Sequence, residues 1–99
     1  MLTSLDLFAK AMAHTPNQAF WCRELGLKRN TLSAAKARGR LSPTIAATLA
    51  TLLHEDATAW TAIAGLEAEP PSRARDKMLT QLRTLVTTSS QQRHTYTAP

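Results

Sequence analysis

One cysteine, three glycines, five aromatic residues and few acids in its first half mark this sequence, and each shortage closes off a class of protein. A lone Cys22 cannot form an intramolecular disulfide, and no cysteine pair offers a zinc spacing, so a reducing, cytoplasmic compartment is expected. The isolated glycines at 26, 39 and 65 make neither a phosphate-cradling loop nor a nucleophile elbow. The longest uncharged segment, residues 41–53, falls well short of the roughly 20 apolar residues that span a bilayer. The opening residues, MLTSLDLFAK, place no basic stretch ahead of a long apolar one, so neither secretion nor membrane insertion is expected. His14, His54 and His94 have no mutual spacing that would set two ligands on one helical face, and Glu55-Asp56 and Glu67/Glu69 fall at expected helix ends. No metal, cofactor or enzyme activity is expected on these grounds.

What is present is a basic segment. The 99 residues suit a single domain, with a formal net charge of +5. Residues 1–53 carry Lys or Arg at 10, 23, 28, 29, 36, 38 and 40 against Asp6 and Glu24, whereas residues 54–99 hold five of each sign. The whole excess lies in the first half, and residues 28–40 hold five cations and no acid. A concentrated field of this kind attracts a polyanion, where scattered charges would only solubilise.

The apolar periodicity is helical throughout, with no strand-like alternation and no internal repeat, so the class is all-α. Ser4 is expected to cap a first helix over residues 4–13, with Leu5, Phe8, Ala9 and Met12 on its inner face. Thr15-Pro16-Asn17-Gln18 matches a capping box and predicts a second helix over 16–25 that buries Trp21, Cys22 and Leu25. Gly26 ends it and Leu27 anchors the turn; a third helix is then expected from Lys28 to Gly39. Ser42-Pro43 opens a fourth, with Ala46, Leu49, Ala50 and Leu53 inward, and Asp56 caps a fifth around Trp60, Ile63 and Ala64, stopped at Glu69-Pro70-Pro71. Residues 72–87 read as an amphipathic sixth helix and residues 88–99 as a disordered tail.

Within residues 29–40, spacings of four, three and four set Arg29, Ser33, Lys36 and Arg40 on one expected stripe, flanked by Asn30 and Ala37 and opposite Thr31, Leu32 and Ala35. The inventory suits a DNA groove: Arg or Lys bridges guanine O6 and N7, Asn bridges adenine N6 and N7, and Ser contacts base or phosphate. Lys28 and Arg38 add charge, and Gln18 with the backbone N–H groups at the start of the second helix suits a phosphate. Trp21 and Trp60 read as core residues, and Cys22 as a small hydrophobe.

Gln18, Trp21-Cys22, Leu25-Gly26-Leu27, Thr31-Leu32-Ser33 and the apolar helix after Ser42-Pro43 together resemble the helix-turn-helix of Cro and CI repressors, over about residues 4–67. The run AKARGRLSPTIAATLATLLHEDATAW is similar to a group of small phage-associated helix-turn-helix proteins. Lys28 stands where that family has a small cap, Ala35 where it often has an aromatic residue, and Gly39 comes late, which implies a third helix one residue longer. The resemblance implies a five-helix lambda-repressor-like bundle over residues 1–69; the apolar pattern then sets the helix of 70–87 and the tail of 88–99 after it.

The function expected from these readings is sequence-specific binding of double-stranded DNA by a phage or prophage repressor, with Gln18, Lys28, Arg29, Asn30, Ser33, Lys36, Arg38 and Arg40 as its DNA-facing residues. A homodimer is expected to double the contacts across half-sites roughly 34 Å apart. Met78, Leu79, Leu82, Leu85 and Val86 offer the dimerisation stripe, unless that helix folds back on its own core. Two rivals use the same fold. One is an adaptor, host-takeover or antitoxin-like protein that uses the helix-turn-helix fold against protein, with the C-terminal helix as a further surface for a protein partner; the other is an excisionase-like architectural DNA binder.

Overall fold

A computed structural model describes the backbone of residues 2–96 and the side chains of residues 2–88. Six helices and no strand occur among the described residues: α1 Ser4–His14, α2 Gln18–Leu25, α3 Thr31–Arg38, α4 Pro43–Leu52, α5 Ala57–Glu67 and α6 Arg73–Tyr96. The all-α class expected from the periodicity is what the chain adopts.

Competition for caps sets the helix starts. Thr3, not Ser4, caps α1, because Asp6 lies three residues on and its carboxylate accepts the Thr3 N–H at 2.6 Å. Ser4 becomes the first helical residue, and the inner face turns to Ser4, Leu7, Phe8 and Ala11; Leu5 and Met12 are half-buried and Ala9 is exposed. For α2 the cap is Asn17, whose Oδ1 accepts the Phe20 N–H at 3.1 Å. Thr15 instead closes α1 through its N–H to the Ala11 carbonyl, and its own carbonyl accepts the Trp21 indole N–H at 2.9 Å. The expected Thr15 cap and Pro16 start are thereby displaced two residues, and Gln18 opens the helix. Ser42 and Asp56 cap α4 and α5 as expected, accepting from the Ile45 and Ala59 N–H groups.

Three helices end in the same way. After α2, the Leu27 N–H bonds the Cys22 carbonyl and the Gly26 N–H the Arg23 carbonyl, with Gly26 left-handed at φ 67°. After α3, Arg40 bonds Ala35 and Gly39 bonds Lys36, with Gly39 at φ 88°. After α4, Glu55 bonds Ala50 and His54 bonds Thr51, but here His54 itself takes φ 59°. A histidine therefore occupies a conformation that costs little only for glycine.

The pair α4·α5 is the centre of the molecule; α1 packs on both, α2 on α3 and α4, and α6 on α5. Leu7, Leu32, Leu41, Leu49 and Ile63 are fully buried in one core with Trp21 and Trp60. Leu79 and Val86, each 2% exposed, belong to that core, and Leu82 packs against it. The expected dimerisation stripe is thus mostly spent within the chain, leaving Met78 at 45% and Leu85 at 47% exposed. The cause is angular: positions 79, 82 and 86 share one face at helical spacing, while 78 and 85 lie seven apart on the next. Arg75 secures this docking, donating from Nε to the Leu66 carbonyl at 2.8 Å and from Nη2 to Glu67 at 3.4 Å. That places a cation on the last carbonyls of α5, where it is electrostatically favoured.

The backbone of α6 stays helical through Tyr96, past residue 87, where the apolar stripe ends. No Gly or Pro stands between Ser72 and Pro99 to stop it. The segment 88–99, expected as a disordered tail, is helical as far as Tyr96, and residues 97–99 lie outside the described ones.

Ser4 ties three segments together. It is 0% exposed; its Oγ accepts the Leu41 N–H at 2.8 Å and donates to Glu67 Oε1 at 2.5 Å, while its N–H donates to Glu67 Oε2 at 2.8 Å. The start of α1, the α3–α4 connection and the end of α5 meet there. The link holds the far end of the α3 unit against the core.

Candidate nucleic-acid interface

The cationic segment folds as a turn, a short helix and a second turn. Residues 28–30 are not helical as expected: the Lys28 carbonyl accepts the Thr31 N–H at 3.1 Å, and the Arg29 carbonyl faces Cys22 Sγ at 3.6 Å. The first bond closes the turn and the second contact ties it back to α2, so α3 begins at Thr31 with Asn30 as its N-cap. Arg29 therefore stands before α3 and Arg40 beyond the left-handed Gly39. The expected four-residue stripe reduces on the helix itself to Ser33 and Lys36.

The helix has a sharply divided section. Leu32 and Ala35 are 0% exposed and fix its inner face, with Thr31 half-buried beside them. Ser33, Ala34, Lys36, Ala37 and Arg38 are all exposed. At about 100° per residue, the outer arc runs from Lys36 through Ser33, Ala37 and Ala34 to Arg38. Ala37 is at its centre, and the two cations stand about 100° to either side of it. Small side chains crown the helix and cations flank it.

Gln18 links the two helices of the unit, donating from Nε2 to Ser33 Oγ at 2.7 Å. Ser33 keeps its own O–H for an outside acceptor, and Gln18 keeps its Oε1 and a second N–H. Asn30 makes no side-chain cap bond, and its exposed amide has no hydrogen-bond partner among the described residues. The same is true of the charged groups of Lys28, Arg29, Lys36, Arg38 and the half-exposed Arg40. By contrast Lys10 pairs with Glu55 at 2.7 Å and Arg75 is bound to α5. Those two cations hold parts of the fold together, whereas the five around α3 are left without a partner among the described residues, as are the exposed Arg23, Arg73 and Lys77.

All eight residues expected to face DNA thus fall on the α2–α3 unit or its flanking turns, at the surface or half-buried. Sequence reasoning missed the Ser4–Glu67–Leu41 link, for which a separation of 63 residues leaves no local signal. Among the described residues no helix is long and apolar enough to cross a membrane. Comparison of the chain with protein-family models, curated proteins and solved structures gives no match. What the described residues define is an all-α fold with five cations, unpaired among those residues, on α3 and its flanking turns.

Proposed function

We propose that the chain is a helix-turn-helix protein of the Cro and CI type that binds double-stranded DNA sequence-specifically and regulates transcription as a phage or prophage repressor. The observation that carries this reading is the group of five cations, unpaired among the described residues, gathered around one short helix in an acid-free stretch. Unpaired surface cations at this density release condensed counterions when they meet phosphates, which supplies binding energy for any duplex. In this reading α3 enters the major groove, while Gln18 and the first N–H groups of α2 meet the phosphate backbone. The double-bonded turn at Gly26 and the Gln18–Ser33 bond keep the two helices in a fixed relation, so the unit docks as one body.

A second copy completes the operator contact across half-sites about 34 Å apart. Met78 and Leu85 expose far less than the ~800 Å² per partner of a stable interface, so the dimer is expected to form on DNA. Selection of bound duplexes from a random pool by the full chain tests the reading. Convergence on a two-fold symmetric sequence supports it. Absence of duplex binding contradicts it and favours the protein adaptor, although Leu79, Leu82 and Val86 are no longer open for that role.

A further inference from the structure

Because guanine is read in the major groove chiefly by Arg and Lys, the position of the cations around α3 bears on which base pairs the site accepts. Lys36 and Arg38 stand about 100° to either side of the centre of the outer arc. A helix lying in the groove turns the centre of its arc to the base edges and its flanks to the phosphate walls, so these two cations meet opposite strands' phosphates. Lys28, Arg29 and Arg40 lie in the turns before and after the helix. No guanine reader occupies the centre.

Three groups do: the methyls of Ala34 and Ala37, and the hydroxyl of Ser33, which Gln18 already engages at 2.7 Å. Asn30 is the N-cap, the turn residue directly before Thr31 at the groove-entering end of α3, and its amide has no hydrogen-bond partner among the described residues. An amide pairs with adenine N6 and N7, donor to acceptor and acceptor to donor; opposite guanine its carbonyl faces a second acceptor. An alanine methyl fits the thymine C5-methyl and leaves the cytosine N4 amino group unpaired. From this arrangement we infer that the duplex taken by α3 presents A·T pairs beneath it, with Asn30 as the adenine reader, Ala34 and Ala37 as thymine-methyl contacts, and the cations as sequence-blind phosphate clamps. The inference rests on the DNA-binding reading above and adds the class of site.

The test uses the full chain and the duplex recovered from the random pool, together with the same duplex carrying deoxyuridine in place of thymidine. Expected are A·T pairs at the enriched positions and weaker binding, by several-fold, to the deoxyuridine duplex. Asn30→Ala, at an exposed residue with no side-chain bond, should reduce discrimination at one adenine by about fivefold to a hundredfold while leaving the chain folded. Enrichment of G·C pairs that an alanine at Lys28, Arg29, Lys36, Arg38 or Arg40 abolishes would overturn the inference and leave DNA binding intact. Indifference to the thymine methyl, or to Asn30, would also overturn it. Failure to retain any duplex at low salt, with helical content unchanged, would instead remove the DNA-binding reading itself.

Discussion

Replacing Ser4 with alanine removes one oxygen atom and with it two of the three hydrogen bonds that join three segments of the chain, leaving only the backbone N–H bond to Glu67. The residue is 0% exposed, and Leu41, whose N–H it accepts, is 1% exposed, so water cannot readily replace the lost partner. An orphaned buried donor costs about 1–3 kcal/mol, and a hydrogen bond to a carboxylate contributes about 1.5–3 kcal/mol. Against this, alanine suits a helix slightly better than serine, by less than about 0.7 kcal/mol. The net expectation for Ser4→Ala is a loss of about 2–4 kcal/mol. A chain of this length has a total of roughly 5–15 kcal/mol. Urea unfolding followed by circular dichroism would read the loss as a lower midpoint at unchanged slope. Glu67→Ala removes the acceptor of both the Ser4 hydroxyl and its backbone N–H, so the double variant should fall short of the sum by about 0.5–3 kcal/mol. A Ser4→Ala midpoint matching the parent, or strict additivity with Glu67→Ala, would refute the link as a structural tie.

The two tryptophans should answer differently to phenylalanine. Trp21→Phe gives up the indole bond to Thr15, whereas Trp60 Nε1 is buried without a partner among the described residues, so Trp60→Phe relieves an orphan donor and should cost about 1 kcal/mol less in the same urea assay. Gly26→Ala and Gly39→Ala each force a side chain into the left-handed region with no neighbouring atom in the way, and should cost about 1–2 kcal/mol. His54→Gly acts in the opposite direction, relieving φ 59° at an exposed site, with an expected gain of up to about 1 kcal/mol in thermal or urea unfolding. Sedimentation of the free chain at micromolar concentration should give a monomer, because the core takes Leu79 and Val86; a stable dimer would mean that Met78 and Leu85 are part of a larger interface.

Much of this architecture was legible because local signals agreed with the final packing. Ser42-Pro43 and Asp56 cap α4 and α5 as their sequence predicts, and Gly26 and Gly39 end α2 and α3 in left-handed conformations. Misreadings arose where two local signals competed. Thr3 with Asp6 displaced Ser4, whose hydroxyl is bound to Leu41 and Glu67, and Asn17 displaced Thr15, whose backbone N–H and carbonyl are taken by Ala11 and Trp21. The start of α3 was set by Arg29 and Lys28 carbonyls bonding across the turn, which side-chain spacing does not disclose. In α6 the five apolar residues span two faces, and only packing on α5 separates Leu79, Leu82 and Val86 from Met78 and Leu85. The candidate site was legible as charge and residue type over 28–40. Its angular arrangement, with cations to the sides and small residues at the crown, needed the true helix start.

The central claim is that the unpaired cations around α3 meet phosphates of a duplex, and the salt dependence of binding tests it most directly. The logarithm of the association constant for a short duplex carrying one half-site, measured against the logarithm of salt concentration, should fall with a slope of about −0.9 for each phosphate neutralised, hence about −3 to −5 for the five cations of one copy. Lys36→Ala and Arg38→Ala should each flatten that slope by about one. A slope near zero, or one that neither substitution changes, would contradict the account.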